Sequence, residues 1–270
     1  MTVGISGTGG GFRKFCRGET AIQDASRPIL KQEMEECART GVRYIKVLVA
    51  FDALTVVANP QNAFARCLTV AELKKVWEPA AQGKVTNWNQ VREGFPDGRL
   101  TLYGAGSDSG TFDYFTEAVN GRAKASRGDY TASEDDNVLV QGVARPQRAR
   151  LHPFRLRRRP DALGVFGFSF LENNRGRIEG VPIDGVDDTR ETIASGRYPL
   201  SRPLFVYGKR PNLDLVPGLR EMVEEYVSDR AVGPEGYLVK RGLVPLAPDR
   251  LREVREKVRN SAVMTGRLDR

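Results

Sequence analysis

Residues 104–115 read Gly-Ala-Gly-Ser-Asp-Ser-Gly-Thr-Phe-Asp-Tyr-Phe and place two hydroxyls and a glycine where a loop turns into a helix. A strand is predicted at residues 100–103, so the motif follows the carboxyl end of a strand, where open α/β sheets bind ligands. The first turn of a helix carries unpaired N–H groups and the positive end of the helix dipole. Ser109, Gly110 and Thr111 are therefore predicted to hold an oxyanion, although the two hydroxyls could also be a simple helix N-cap.

A second loop of similar character lies near the N-terminus. Residues 6–11 read Ser-Gly-Thr-Gly-Gly-Gly and run into residues 12–15, where a helix is predicted to begin. Two such loops could close on one anion. Taken alone, the glycine cluster is also typical of a flexible turn.

Predicted strands and helices alternate along the 270 residues, which indicates an α/β fold. Residues 45–49 and 54–58 are dominated by β-branched side chains and predict two strands, with Asp52 between them. Thr69 and Glu72 have the spacing of a capping box and start a helix. The length permits one large domain or two lobes, and we expect two. The other main predicted elements are helices at 31–39, 109–119, 138–143, 219–228 and 251–258 and strands at 163–170 and 204–207.

The formal net charge of +8 is concentrated in one segment. Seven arginines fall within residues 145–159, and without them the formal net charge would be +1. Aromatic side chains are not interleaved with these arginines as in a base-stacking platform, so we expect no nucleic-acid partner. A charge run is usually a solvated loop, and the alternative is an arm that binds a polyanion such as a nucleic acid.

The residue patterns of common catalytic and metal sites are missing from the sequence. Neither a G-x-x-x-x-G-K-[ST] loop nor a G-x-S-x-G elbow occurs, and His152 is the only histidine. We therefore expect no cofactor, no bound metal and no catalytic residue. Cys16, Cys37 and Cys67 lack C-x-x-C spacing and are interpreted as separate thiols, with a Cys16–Cys37 bridge as the alternative in an oxidising compartment.

Membrane and targeting signals are also missing from the sequence. No apolar run approaches the roughly 20 residues of a membrane span. The first residues lack the basic and apolar regions of a secretion signal, so we expect no signal peptide in this chain.

An ordered set of short motifs over nearly the whole chain resembles the phosphate-binding proteins of high-affinity ABC phosphate transporters. That family has a type II periplasmic-binding fold, in which crossover strands join two α/β lobes around a ligand cleft. Each motif alone is weak, but together they follow the order of the family. The matching runs are residues 4–15 (GISGTGGGFRKF), 25–29 (ASRPI), 51–60 (FDALTVVANP), 68–88, 103–117 (YGAGSDSGTFDYFTE), 133–143 (SEDDNVLVQGV), 162–168 (ALGVFGF) and 198–207 (YPLSRPLFVY), with a weaker match at 236–246.

The resemblance implies a first lobe of residues 1–59 and 198–270 and a second lobe of residues 60–197. It also implies that backbone N–H groups and hydroxyls of both lobes bind phosphate in the cleft. The loop that supplies an aspartate in some members corresponds to Ser26 and Arg27 here, so this chain carries a hydroxyl and a guanidinium instead. Some members also have an arginine just upstream of the Ser-Gly-Thr motif, at about the position of Ala105, and we expect Arg27 to replace that missing charge. The implied phosphate-binding residues are Ser6 (as a fallback for Thr8), Thr8, Gly9, Gly10, Ser26, Arg27, Ser109, Gly110 and Thr111.

A phosphate that keeps a proton needs a hydrogen-bond acceptor, because an unmatched buried polar group costs about 1–3 kcal/mol. A carboxylate has to supply it, and Asp52, Asp108 and Asp135 are the candidates. A sulfate site would avoid such a carboxylate, since sulfate has no proton to donate. Another oxyanion such as sulfate is therefore the alternative ligand, and a phosphatase on the same fold is the alternative among enzymes.

The resemblance further implies a role and a place for the protein. The chain is expected to be a monomeric, non-enzymatic receptor that delivers inorganic phosphate to the permease subunits of a transporter. It is expected in the periplasm or on the outer cell surface, where a lipid anchor is an alternative to a free protein.

Two departures from the family pattern stand out. The chain opens at what resembles the second strand, so we expect that a signal and about 30 residues forming a strand and a helix are missing. Residues 145–160 (RPQRARLHPFRLRRRP) stand where related sequences have a short turn, and we expect this insertion to be a solvated, disordered loop.

Overall fold

A computed structural model describes residues 3–4, 6–107, 109–144, 147–152, 155–159 and 161–260. The helices are α1 Thr8–Cys16, α2 Lys31–Arg39, α3 Val70–Trp77, α4 Gly110–Asn120, α5 Asp136–Ala144, α6 Phe168–Asn173, α7 Arg190–Ala194, α8 Asn212–Leu215, α9 Leu219–Glu225, α10 Asp229–Val232, α11 Tyr237–Lys240 and α12 Pro248–Arg259. The strands are β1 Ile22–Ala25, β2 Tyr44–Ala58, β3 Thr101–Ala105, β4 Thr131–Ser133, β5 Gln147–His152, β6 Arg155–Arg159, β7 Ala162–Gly167, β8 Glu179–Gly180, β9 Ser201–Lys209 and β10 Val244–Pro245.

The chain divides into two compact units. Unit 1 takes residues 1–52, 194–196 and 202–270, and unit 2 takes residues 53–193 and 197–201. The chain therefore crosses from one unit to the other inside β2 and again around the start of β9. The lobe boundaries expected from the sequence, 59/60 and 197/198, stay a prediction.

Unit 1 is built on an antiparallel arrangement of short strands around aromatic side chains. β1 pairs with β9, which neighbours β2, and β10 pairs with the residues of β2 near Phe51. The buried rings of Phe12, Phe15, Tyr44 and Tyr207 pack edge to face, with centroid distances from 4.9 Å to 6.5 Å. Such pairs stabilise a core beyond the area they bury. Helix α1 is thereby fixed on the strands of this unit.

A disulfide joins α1 to α2 within unit 1. Cys16 and Cys37 are both 1% exposed and are bonded to each other, whereas Cys67 is free. The interpretation of three separate thiols is therefore wrong, and the bridged alternative holds. The sequence could not decide between them because a separation of 21 residues says nothing about distance.

Unit 2 contains the parallel strand pairs of the fold. β3 lies between β7 and β4 and is parallel to both, while β7 runs antiparallel to the second part of β2. The carboxyl ends of β3 and β4 therefore meet at one edge of the sheet. Helices α3 and α4 pack together through Trp77 and Phe115, whose rings are 5.2 Å apart.

Several elements differ from those expected. β2 is one strand through Asp52, because the residues around it are as buried as the rest of the strand. The strand expected at 163–170 ends at Gly167, and α6 follows at once. Residues 147–152 and 155–159, which belong to the segment expected to be a disordered loop, form an antiparallel ribbon of β5 and β6. No helix among the described residues is both long and apolar enough to span a bilayer.

Candidate functional site

The start of α4 carries the hydroxyl-rich motif of unit 2. Ser109 is the N-cap, and its Oγ accepts a hydrogen bond from the Thr111 amide at 3.1 Å. Ser109 is thus an N-cap, as the alternative interpretation has it. Its hydroxyl uses only an acceptor position for this cap, so it can still donate its proton in a second hydrogen bond. The amides of Gly110 and Phe112 belong to the first-turn groups for which a helix has no internal acceptor. This helix start can therefore donate several hydrogen bonds to an anion.

A small cavity lies on the inner side of the same helix start. Its volume is about 10 Å³, which is room for a single water molecule, and it is too small for a tetrahedral oxyanion. Thr111, Trp77, Gly104 and Tyr130 are among its lining residues. This cavity is therefore not an anion site, whereas Gly110 at the same helix start is exposed.

Carboxylates follow β4 at the sheet edge where β3 also ends. Asp135 caps α5, since its Oδ1 accepts hydrogen bonds from the backbone and side-chain nitrogens of Asn137 at 2.9 Å and 3.0 Å. Burial raises the pKa of Asp136 to about 6, with help from the charges of Asp135 and Glu134. The carboxylate of the exposed Glu134 lies directly against Gly106, so a Cβ at Gly106 would require this side chain to move. Sequence reasoning did not single out Glu134, because its position depends on the pairing of β3 with β4.

Asp108 was the other acceptor candidate next to this motif. It lies outside the described residues. Its role as a phosphate contact stays a prediction.

In unit 1 the glycine-rich stretch belongs to helix α1. The helix begins at Thr8, so Gly9 and Gly10 form its first turn and not a loop before a helix at residue 12. The N-cap is Gly7, which offers no side chain, and the exposed Ser6 precedes it. Backbone N–H groups at this helix start are therefore free of a side-chain cap.

Thr8 and Ser26 are brought together. Their hydroxyl oxygens lie 3.2 Å apart, and the Ser26 amide donates to Thr8 Oγ1 at 3.3 Å. Both residues are half-buried. The two hydroxyls expected from separate loops thus form one pair at the start of α1.

Arg27 is held by a carboxylate that the sequence did not point to. Its two terminal nitrogens donate to the two oxygens of Glu33 at 2.8 Å each, and its guanidinium lies 5.7 Å from the centre of the Phe12 ring. Of the two roles considered for Arg27, the salt bridge is present. A direct contact with an anion stays a prediction.

Asp52 also has a cationic partner within its unit. One of its oxygens accepts from Nε and Nη2 of Arg202 at 3.1 Å and 2.9 Å. No group of three or more metal-ligating His, Cys, Asp or Glu side chains occurs in the described part of the chain.

The fold defines a class of α/β proteins built from two units, and hydroxyls and main-chain amides stand at the start of one helix in each unit. Comparison with known proteins is consistent with this class. A family model described as "PBP superfamily domain" matches residues 1–230. Protein SphX of Synechocystis sp. is 48% identical over 254 residues, which cover 91% of this chain and 70% of that protein. The phosphate-binding protein PstS of Staphylococcus saprophyticus is 31% identical, over 87% of this chain and 69% of the relative.

Solved structures give the same result. A possible phosphate binding protein from Planctomyces limnophilus matches with a TM-score of 0.84 and 40% identity, over 95% of this chain and 86% of that one. An ABC-type phosphate transport receptor from Vibrio cholerae, 20% identical with a TM-score of 0.64 over 90% of this chain and 86% of that one, shares the fold. The chain belongs to the PBP superfamily and, within it, to the phosphate-binding proteins of ABC transporters.

Two expectations from the sequence are therefore confirmed, the two-lobe type II periplasmic-binding fold and the family. The expectation that the protein is not an enzyme is also confirmed, because this family consists of transport receptors.

Proposed function

We propose that this chain is the solute-binding component of an ABC transporter and that it captures inorganic phosphate for delivery to the membrane permease. Its relatives support this ligand, and the two helix starts supply the matching chemistry. The observation that carries the proposal is the start of α4, where Ser109 caps the helix while its hydroxyl proton and the neighbouring amides remain available for an anion.

The contacts come from the residues already described in each unit. In unit 2 these are Ser109, Gly110 and Thr111, with Asp108 as a further candidate. In unit 1 the first turn of α1 offers backbone amides, and Thr8 and Ser26 offer paired hydroxyls. We propose that further residues of unit 1 take part in binding the same ligand. Two of them, Arg27 and Asp52, are charged, and the others are Ser6, Gly9 and Gly10.

Discrimination between phosphate and sulfate requires a carboxyl group near the anion. Besides Asp108, the edge of unit 2 has Glu134 and Asp136 after β4. Because the pKa of Asp136 is raised to about 6, this group is mainly an ionised, accepting carboxylate only above about pH 6. We propose that acidic groups at this edge favour a protonated oxyanion over sulfate, because sulfate lacks a proton to donate.

The place of action follows from the partner. A receptor that feeds a permease works outside the cytoplasmic membrane, in the periplasm or on the outer surface. The Cys16–Cys37 disulfide supports such an oxidising compartment. We propose that the protein acts as a monomer, and that a lipid anchor is the alternative to a free receptor.

The test is calorimetric titration of the purified chain with phosphate and, separately, with sulfate. Phosphate is expected to bind and sulfate is not. Ser109→Ala removes one charge-assisted hydrogen bond and is expected to weaken phosphate binding by about 1.5–3 kcal/mol. Thr111→Val is expected to act similarly.

A matched control exists on the same chain. Ser228 is the N-cap of α10 and accepts from the Ala231 amide at 3.1 Å, so Ser228→Ala loses the same kind of cap. It should leave phosphate affinity unchanged. If Ser109→Ala and Ser228→Ala bind phosphate equally well, the assignment of the α4 start is wrong. If the unaltered chain binds no phosphate, the proposed function fails.

A further inference from the structure

Glu33 contacts several groups close to the predicted anion-binding residues of unit 1. Its side chain is 15% exposed, and its two oxygens accept the bidentate pair from Arg27 at 2.8 Å each. Oε2 also accepts from the Leu30 amide at 2.8 Å and so caps the start of α2. One carboxylate thus ties a loop residue to a helix start.

The Arg27–Glu33 pair also reaches helix α1. A Cβ placed on Gly9 would lie 3.5 Å from Arg27 Nη2 and 3.9 Å from Glu33 Oε1, so the pair lies directly against the first turn of α1. On another side the Arg27 guanidinium faces the Phe12 ring at 5.7 Å. Residue 26 of the same loop is the serine whose hydroxyl meets that of Thr8. Three segments therefore meet at this ion pair: the loop at residues 26–27 and the first turns of α1 and α2.

Much of the hydrogen-bonding capacity of Arg27 is used within this cluster. Two of its N–H groups bond Glu33, and a third donates to the carbonyl of Pro28 at 3.1 Å. A guanidinium has five such groups in a fixed plane. The bidentate geometry fixes the orientation of that plane, because both fork bonds have to be kept.

We propose that Glu33 is a positioning residue of the phosphate site: it holds Arg27 in place and thereby fixes the Ser26 hydroxyl and the first turn of α1 in the arrangement that receives the anion. This inference rests on the proposed phosphate-binding function. It assigns to Glu33 no contact with phosphate. A negative charge close to an anion site is retained because the order it imposes on the donors outweighs the repulsion it adds.

An account based on the positive charge of Arg27 predicts the opposite change in phosphate affinity. If Arg27 acted mainly as a positive charge for the anion, Glu33 would weaken binding by neutralising it. Removal of the Glu33 charge would then tighten phosphate binding. On the positioning account the same removal loosens the loop and weakens binding, because disordered donors have to be ordered again when the ligand binds.

The first experiment is calorimetric titration of phosphate into the full chain and into Glu33→Gln. We expect the Kd for phosphate to rise about tenfold, which corresponds to the loss of one well-ordered charged hydrogen bond. The matched control is Glu36→Gln on the same helix, which removes a carboxylate paired with Arg39 outside the cluster and should leave the Kd unchanged. An unchanged or lower Kd for Glu33→Gln overturns the proposal.

The second experiment separates positioning from charge. Arg27→Glu and Glu33→Arg are made singly and together, and circular dichroism first checks that each variant is folded. On our account the double variant restores an ion pair across the same two positions and binds phosphate at least threefold more tightly than either single variant. Binding by the double variant that is no tighter than by Arg27→Glu alone overturns the proposal.

The two proposals can fail separately. If the unaltered chain binds no phosphate, the proposed function fails. If it binds phosphate and the Glu33 variants do not follow the expected pattern, only the positioning role of Glu33 is wrong.

Discussion

Asp188 is a buried carboxyl group of unit 2, and replacing it by asparagine is expected to change how the stability of the protein depends on pH. The residue is 7% exposed, and its Oδ2 has no hydrogen-bond partner among the described residues. Its carboxyl packs on Gly180, where it leaves no room for a Cβ. Burial raises the pKa of Asp188 to about 6, although the charge of Arg175 acts in the opposite direction.

The sign of the effect follows from which state binds the proton more tightly. The ordinary pKa of an aspartate is 3.8, so the folded protein binds this proton more tightly than the unfolded chain. The stabilisation is therefore complete below the ordinary pKa and is lost as the pH rises through about 6. A pKa difference of about two corresponds to about 3 kcal/mol, which the wild-type chain is expected to lose between about pH 4 and pH 7.5.

The assay is urea unfolding of the wild-type chain and of Asp188→Asn across this pH range, without phosphate. Relative to the wild-type chain, the variant should gain about 2 kcal/mol in free energy of unfolding from pH 4.5 to pH 7.5. Glu93→Gln is the control, because Glu93 is an exposed carboxylate of the same unit and its replacement should give no such trend. If the stability of Asp188→Asn follows that of the wild-type chain at every pH, the reasoning from burial is refuted.

Two further predictions concern the packing of each unit. Cys37→Ser opens the link to Cys16 and is expected to lower the free energy of unfolding by about 3 kcal/mol, because the bridge closes a loop with a sequence separation of 21. Thermal unfolding should separate it from Cys67→Ser, which removes only a free thiol, and equal melting temperatures would speak against a formed bridge. Arg127→Met is expected to cost at least about 3 kcal/mol in urea unfolding, because the 4% exposed guanidinium serves Asp129 and two backbone carbonyls. Wild-type stability in that variant would mean that these buried bonds contribute nothing.

The helix ends that were predicted correctly are determined by residues close together in the sequence. Thr69 Oγ1 accepts from the Glu72 amide at 3.1 Å, and the Glu72 carboxylate accepts from the Thr69 amide at 2.8 Å, which is the capping box read from spacing alone. Gly121 ends α4 with a φ of 77°, a conformation that favours glycine. β2 was wrongly divided at Asp52, because the partner that satisfies this carboxylate, Arg202, is 150 residues away.

Some features of the candidate site could likewise be predicted from the sequence, and others could not. The hydroxyl motif at Ser109 was readable because a cap and its helix are adjacent in sequence. The start of α1 could not be predicted from the sequence. Burial of Phe12 in the aromatic core outweighs the low helix propensity of the glycines before it. The Thr8–Ser26 and Arg27–Glu33 pairs depend on how a loop, α1 and α2 pack, which no local pattern encodes.

The central claim is that hydroxyls and main-chain amides at the starts of α1 and α4 hold phosphate. A crystal structure of the protein grown with phosphate tests it most directly. We predict a tetrahedral anion whose oxygens accept hydrogen bonds from Ser109, Thr111 and the Thr8–Ser26 pair. An anion bound elsewhere, with these groups contacting only water or protein, would contradict the account.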